Sequence, residues 1–313
     1  MPELRLISDE LRFPEGPVAM ADGSVIVVEI RRGTLSRVAP DGTVTVVGEC
    51  GGGPNGAAVG PDGAMYVCNN GGFEWHEGSG MVAPGNQPAD YIGGRIQRVT
   101  LDGPGAGTVT DLYTECDGNP LRGPNDIVFD TDGGFYFTDL GKTRPREMDR
   151  GGLYYATPDG SSITEIAYPL ISPNGVGLSP DGDRVYIAET QTGRVWYWEI
   201  EAPGKLRPVS DAPRGPGGAG LLYGFEGFQL LDSLGVDGDG NVCVATLGTG
   251  AISVISPDGE LLEQVKPPVF DFFVTNICFG GPDLRTAYIT SSGRGRLYAT
   301  EWPRPGLRLN FNA

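Results

Sequence analysis

Apolar and polar residues alternate along most of this chain in short runs, and the runs come in pairs joined by an Asp-Gly turn. Alternation with a period of two is the mark of a strand, and a D-G pair between two such runs is a strong local hairpin signal. The pairs share one phrase: a small polar loop, an apolar run, a D-G turn and a second run. It is clearest at Pro54-Asn55-Gly56-Ala57-Ala58-Val59, followed by Asp62-Gly63 and AMYVCN at 64–69. It returns at Pro124-Asn125-Asp126-Ile127-Val128-Phe129 with GFYFTD, and at Pro173-Asn174-Gly175-Val176-Gly177-Leu178 with DRVYIAE. Weaker copies begin at Pro14-Glu15-Gly16-Pro17-Val18, Leu231-Asp232-Ser233-Leu234 and Thr275-Asn276-Ile277-Cys278, which makes six.

A further pair of runs follows several copies, as at 33–47, 94–103, 152–160, 193–200 and 250–265. Two hairpins per unit predict a four-stranded antiparallel blade. Six units in 313 residues is about 52 residues each, within the range of propeller arrays. The expectation is an all-β fold, a single six-bladed β-propeller domain over 1–313. No helical period competes, and a β-sandwich would not explain six copies of one phrase. The amino-terminal ELRLIS is expected to pair with RLYATEW at 296–302, closing the ring and removing its open edge. The longer stretches at 70–94, 104–123, 142–151 and 202–230 read as surface loops around the mouth.

Composition sharpens this picture. Fifty-one glycines and 26 prolines, interleaved with apolar runs and without a collagen period, fit many tight turns. A net charge of −17 repels phosphate backbones and anionic lipid, so neither nucleic acid nor a membrane surface is an expected partner. The five cysteines are odd in number and scattered, with no CxxC, and read as reduced thiols. With no apolar leader at the amino terminus and no run long enough to span a bilayer, the expected location is cytoplasmic.

The six phrases align on one position. Just before each apolar run stand Glu15, Asn55, Asn125, Asn174, Asp232 and Asn276, every one an oxygen-bearing side chain. Equivalent positions of successive innermost strands ring the same end of a propeller's channel, so these six should converge. Any one Asn or Asp could simply cap its turn. Glu15 is a poor turn residue, however, and no Lys or Arg stands at an equivalent position to neutralise Glu15 and Asp232. Two carboxylates with amide carbonyls are hard oxygen donors suited to one divalent cation, Ca2+ first, with Zn2+, Mn2+ and Mg2+ as alternatives.

Other chemistry is excluded. His76 is the single histidine, so a three-histidine zinc site cannot form within one chain. No G-x-S-x-G elbow accompanies it, and no P-loop or dinucleotide fingerprint appears.

Taken in order, Phe13-Pro14-Glu15-Gly16-Pro17, Gly123-Pro124-Asn125-Asp126-Ile127, Ser172-Pro173-Asn174-Gly175-Val176 and Asp232-Ser233-Leu234-Gly235-Val236 resemble the SMP-30/gluconolactonase/LRE-like family. So do Phe137-Thr138-Asp139 and Ile277-Cys278-Phe279-Gly280-Gly281. The resemblance implies a six-bladed propeller acting as a metal-dependent hydrolase of lactones, which are cyclic esters. A phosphotriester or phosphofluoridate hydrolase at the same metal and a non-catalytic, metal-stabilised propeller are the alternatives. It further implies Glu15, Asn174 and Asp232 as metal ligands, Asn125 as ligand or substrate contact, and Asp232 as general base. Asn55 and Asn276 would lie behind the ligands or line the pocket. The arginine that sugar-lactone members carry two residues before the matched asparagine is displaced here to Arg122, with Gly123 in its place. Aromatics crowd the expected mouth loops, and Arg122, Trp75 and Phe225 are the expected substrate contacts beside the ring.

Overall fold

The chain is described by a computed structural model covering residues 3–209 and 215–312. Six antiparallel sheets stand around a central channel, one per phrase, and the innermost strands pack on one another in ring order. Those innermost strands are Pro14–Ala19, Pro54–Val59, Pro124–Phe129, Pro173–Leu178, Leu231–Val236 and Val274–Gly280. Blades 1 to 6 are numbered from them. The outermost strand of blade 6 is Arg5–Ser8, which pairs with Arg296–Glu301, so the ring closes as expected. Among the described residues the helical pieces are three 3-10 turns of three residues each, and no helix is long and apolar enough to cross a membrane.

The second strand of each blade is covered on both sides. Val25–Glu29, Met65–Asn69, Phe135–Asp139 and Val242–Thr246 are buried at every position, whereas the outer strand Val44–Glu49 is largely exposed. The core is therefore six apolar layers between neighbouring blades rather than one centre. All five cysteines are buried free thiols, Cys50, Cys68, Cys116 and Cys243 within these layers and Cys278 on the channel side of its inner strand. The D-G turns close the far end of each inner hairpin by aspartate capping: Asp22 Oδ1 accepts the Ser24 N–H at 2.9 Å and Asp62 Oδ1 that of Ala64 at 3.2 Å.

Inner strands approach so closely that side chains are excluded at some positions. A Cβ on Gly56 would lie 2.4 Å from the Asn125 carbonyl oxygen and 2.7 Å from Asp126 Cα, both on the next inner strand.

The loops expected around the mouth divide. The stretch between Asn69 and Arg95 joins the second and third strands of blade 2 on the mouth side, and carries a hairpin of Trp75–Gly78 against Met81–Pro84. Residues 142–150 do the same in blade 3, with Thr143–Arg144 paired to Glu147–Met148. The stretch 104–123 instead includes the outer strand Val109–Tyr113, and so runs from the far face to the mouth. The reading of 202–230 as one mouth loop is corrected in the same way. Lys205–Arg207 and Gly220–Gly224 both pair with Arg194–Ala202, so the outer edge of blade 4 is a strand in two pieces. Its Gly and Pro content hid that; residues 210–214 of the same stretch lie outside the described residues.

Candidate metal centre

Each inner strand carries one extra residue against its partner at the same place. Pro54 pairs with Asn69 and Ala57 with Val67, so three steps on one strand match two on the other. The same slip separates Glu15 from Val18, Pro124 from Ile127, Pro173 from Val176, Leu231 from Leu234 and Val274 from Asn276. Such a bulge re-aims the side chains around it. In five of the six blades the slip spans the aligned polar residue or begins at it, and in blade 6 it ends there. The repeat thus turns one polar side chain per blade out of the pleat at the channel mouth.

Five of the six ring residues are buried, and Asp232 alone keeps moderate exposure. Asn276 Nδ2 donates to Glu15 Oε2 at 2.7 Å, and its Oδ1 accepts the Ile277 N–H at 2.7 Å. Both ends of that amide are thus engaged in holding Glu15 and its own strand. Asn174 Nδ2 donates to Thr190 Oγ1 at 3.1 Å, which turns its carbonyl oxygen toward Ser233, whose hydroxyl lies at 3.5 Å. Glu15 Oε1 and Asn125 Oδ1 are buried with no partner among the described residues. Unpaired buried oxygens are costly and call for an explanation.

The electrostatics point the same way. Burial pushes the Glu15 carboxyl up, against the hydrogen bonds from Asn276 and Gly16. Burial first and the Glu15 charge second push Asp232 well above the usual carboxylate range. A third carboxyl joins them: Asp126 is pushed up to about 7 by burial and then by Glu15. The ring position was aligned one residue short of Asp126, where the other strands carry Gly16, Gly56, Gly175, Ser233 and Ile277. Its signal was the one acidic residue in that column. Among the described residues no three His, Cys, Asp or Glu side chains gather in ligand geometry; the donors of the ring are mostly amides.

Residues 13–293 match the profile of the SMP-30/Gluconolactonase/LRE-like region. The chain belongs to the SMP-30/gluconolactonase/LRE-like family. It is 32% identical over 259 residues to lactonase drp35 of Staphylococcus saprophyticus, covering 81% of this chain and 69% of that protein. Its fold is similar to that of a gluconolactonase of Xanthomonas campestris, with a TM-score of 0.73 at 22% identity, over 96% of this chain and 90% of the other. It is also similar to regucalcin, a calcium-binding protein of Agrobacterium tumefaciens, with a TM-score of 0.71 at 19% identity over 97% of each chain.

In this SMP-30/gluconolactonase/LRE-like chain a second set of polar residues fixes the first. The last residue of the second strand in blades 1 to 4 is Glu29, Asn69, Asp139 or Glu189. Each accepts a backbone N–H from the segment leading into its own inner strand: Arg12 at 2.7 Å, Gly53 at 3.0 Å, Arg122 and Gly123 both at 2.7 Å, and Ile171 at 2.8 Å. They orient the backbone on which the ring sits. Their signal was legible, since each is the polar last letter of an otherwise apolar run.

Around the rim, Arg122 is exposed, and its carbonyl accepts the Tyr91 hydroxyl at 2.6 Å. Trp75 is partly buried and packs on Phe13 with ring centroids 5.1 Å apart, directly before the strand that carries Glu15. Phe225 stacks edge-on against Tyr223 at 4.8 Å, its N–H donated to Gly193. His76 is exposed on the Trp75–Gly78 hairpin. Lys142 pins the 70–94 stretch from below: Nζ donates to the Gly72 carbonyl at 2.6 Å and lies 4.1 Å above the Phe73 ring. Burial lowers its pKa to about 7, against the nearby Asp139 and Asp149 charges.

Proposed function

We propose that this protein hydrolyses lactones, with one divalent cation held at the polar ring. The observation that carries the reading is the pair of buried, unpartnered oxygens, Glu15 Oε1 and Asn125 Oδ1, beside Asp232, whose carboxyl burial and Glu15 both oppose ionising. Hard oxygen donors under mutual repulsion fit a cation such as Ca2+. Glu15, Asn125, Asn174 and Asp232 would hold it, and Asn276 keeps Glu15 turned inward. Identity to a lactonase supports the reaction, and the fold neighbour named as calcium-binding supports Ca2+ over Zn2+, Mn2+ or Mg2+.

A bound cation supplies Lewis acidity toward the ester carbonyl. The rest is the work of the chain. Asp232, the ring residue most open to the mouth, takes a proton from the attacking water. The water oxygen bonds to the carbonyl carbon and the ring C–O bond breaks. The proton passes to the departing alkoxide, leaving a hydroxy acid. Asn55 and Asn125 line the ester side of the pocket, while Arg122, Trp75 and Phe225 orient the remainder of the substrate. Five buried free thiols suit the cytoplasm as the place of work. Lactone hydrolysis followed by pH indicator, across sugar, aliphatic and aromatic lactones, tests this after chelation and after each cation is restored. Loss with chelator and recovery with Ca2+ is expected; no turnover of any lactone by folded protein with any cation would overturn it.

A further inference from the structure

A large cavity lies at the other end of the channel from the rim that Arg122, Trp75 and Phe225 occupy. It begins at the underside of the ring, at Gly16, Asp126 and the ring residue Asn276, and extends down to the D-G turns, with a volume of about 830 Å³. From Glu15 to Ala19 an extended strand covers roughly 13 Å, so the lower opening is well removed from the mouth. That volume is in the range of small-molecule sites, roughly 300–1,000 Å³.

The cavity is walled by the lower halves of the inner strands, including Val18, Val128, Leu178, Leu234, Val236 and Ile277. Its remaining wall is the carboxyl-terminal tail, which crosses from blade 6 over blade 5 toward blade 3. Gly238 N–H donates to the Pro305 carbonyl at 2.7 Å, Gly306 N–H to that of Leu284 at 2.8 Å, and Leu307 N–H to that of Val236 at 3.0 Å. Arg304 pairs with Asp237 at 2.7 Å and Glu263 at 2.6 Å. Beyond them Asn310 Nδ2 reaches the Phe129 carbonyl at 3.0 Å, and the Phe311 ring stands edge-on to that of Phe129. The tail is bound at both sides of the opening and brings Leu307 and Leu309 to the cavity.

Charge at the lower opening is one-sided. Asp132, Asp181 and Asp183 line it, are exposed and have no ion-pair partner among the described residues, against one lining arginine, Arg308; Asp22 and Glu201 line it too but pair with Arg37 at 3.1 Å and Lys205 at 3.0 Å. Turn chemistry explains each aspartate separately. Their convergence on one opening of an apolar chamber nonetheless produces a field that attracts cations and repels anions.

We infer that this lower chamber, roofed by the ring and walled by the carboxyl-terminal tail, is a second ligand site for a small amphipathic cation. The apolar body fills the space between the inner strands, and an ammonium group faces the acidic turns. The chamber shares Asp126 and Asn276 with the underside of the ring, but its charged end lies at the opposite opening.

Three probes of one shape test it on the full-length protein by titration calorimetry: 1-naphthylmethylamine as the cation, 1-naphthalenemethanol as the neutral form and 1-naphthoate as the anion. The cation is expected to bind one to one, at least tenfold tighter than the alcohol, with the anion not binding. Leu178→Trp, which fills the chamber, should weaken the cation at least tenfold. Leu307→Arg, on the tail and outside the strands, should do the same if the filled strand variant does not fold. Saturating Ca2+ should leave amine binding unchanged, because the ammonium group faces the acidic turns and the ring only roofs the chamber. Absence of amine binding, equal binding of all three probes, displacement by Ca2+, or amine binding unaffected by Leu307→Arg would each overturn the inference.

Discussion

Asn276 and Glu15 stand 261 residues apart in the chain and 2.7 Å apart in the fold, the amide of the last blade donating to the buried carboxylate of the first. That bond joins the ends of the propeller at the channel mouth, just as Arg5–Ser8 joins them at the outer edge. It also fixes which Glu15 oxygen faces the ring: Oε2 receives Asn276 and the Gly16 N–H, and Oε1 is left for another partner.

Asn276→Ala should therefore act on cation binding as well as on stability. Loss of a hydrogen bond to a buried carboxylate costs about 1–3 kcal/mol. The expected result is a lower urea midpoint and weaker Ca2+ binding by calorimetry, with the larger stability loss when Ca2+ is present, since the variant then also forfeits part of the ligand's stabilisation. Unchanged Ca2+ affinity would mean that Asn276 does not orient Glu15 for a ligand.

The ring also sets a pH dependence. Glu15, Asp126 and Asp232 all have their carboxyls raised, chiefly by burial. A carboxyl raised on folding binds more protons folded than unfolded between its two pKa values. Its stabilisation is complete below the unfolded value near 4 and is lost as pH climbs through the folded value, about 7 for Asp126. These groups should therefore lower the stability of chelated protein as pH rises from about 4 to 7. Ca2+ needs the deprotonated forms, so its stabilising effect should grow over the same window, reaching about 2.7 kcal/mol at one hundred times its Kd. Scanning calorimetry across that range, with chelator or Ca2+, checks both signs; a Ca2+ effect largest at the acid end would contradict them.

Asp139 supports the ring from behind. Its carboxylate accepts three backbone N–H groups, from Arg122 and Gly123 at 2.7 Å and from Gly141 at 2.9 Å. Asp139→Ala leaves buried donors unsatisfied and should destabilise by about 3 kcal/mol or more. Amide exchange should rise at 121–126 before other inner strands are affected. Uniform exchange across all blades would make Asp139 a general core residue instead.

Much of this was legible because a propeller repeats its physics. Five D-G turns, a Pro282-Asp283 turn in the sixth phrase and one polar letter before each apolar run marked the blade count and the candidate members of the ring. The bulge that turns those letters inward left no mark beyond the letters themselves. Asp126 was passed over because alignment on a single column conceals its neighbour. The pairing of Asn276 with Glu15 depends on ring closure and has no local signal. Blade 4's outer strand was hidden because its two pieces, Lys205–Arg207 and Gly220–Gly224, are each too short to show a period. The tail alternates over Leu307-Arg308-Leu309-Asn310-Phe311-Asn312 but forms no strand, so its course beneath the channel appears only in three dimensions.

The most direct test of a hydrolase at the ring is Asp232→Asn, assayed for lactone turnover, Ca2+ affinity and thermal stability in one preparation. Asparagine keeps an oxygen donor and removes the proton acceptor. The account predicts a fall in kcat of about 10²–10⁴-fold, in a protein that still folds and still binds Ca2+. Full turnover with Ca2+ bound would contradict it and remove Asp232 from the chemistry.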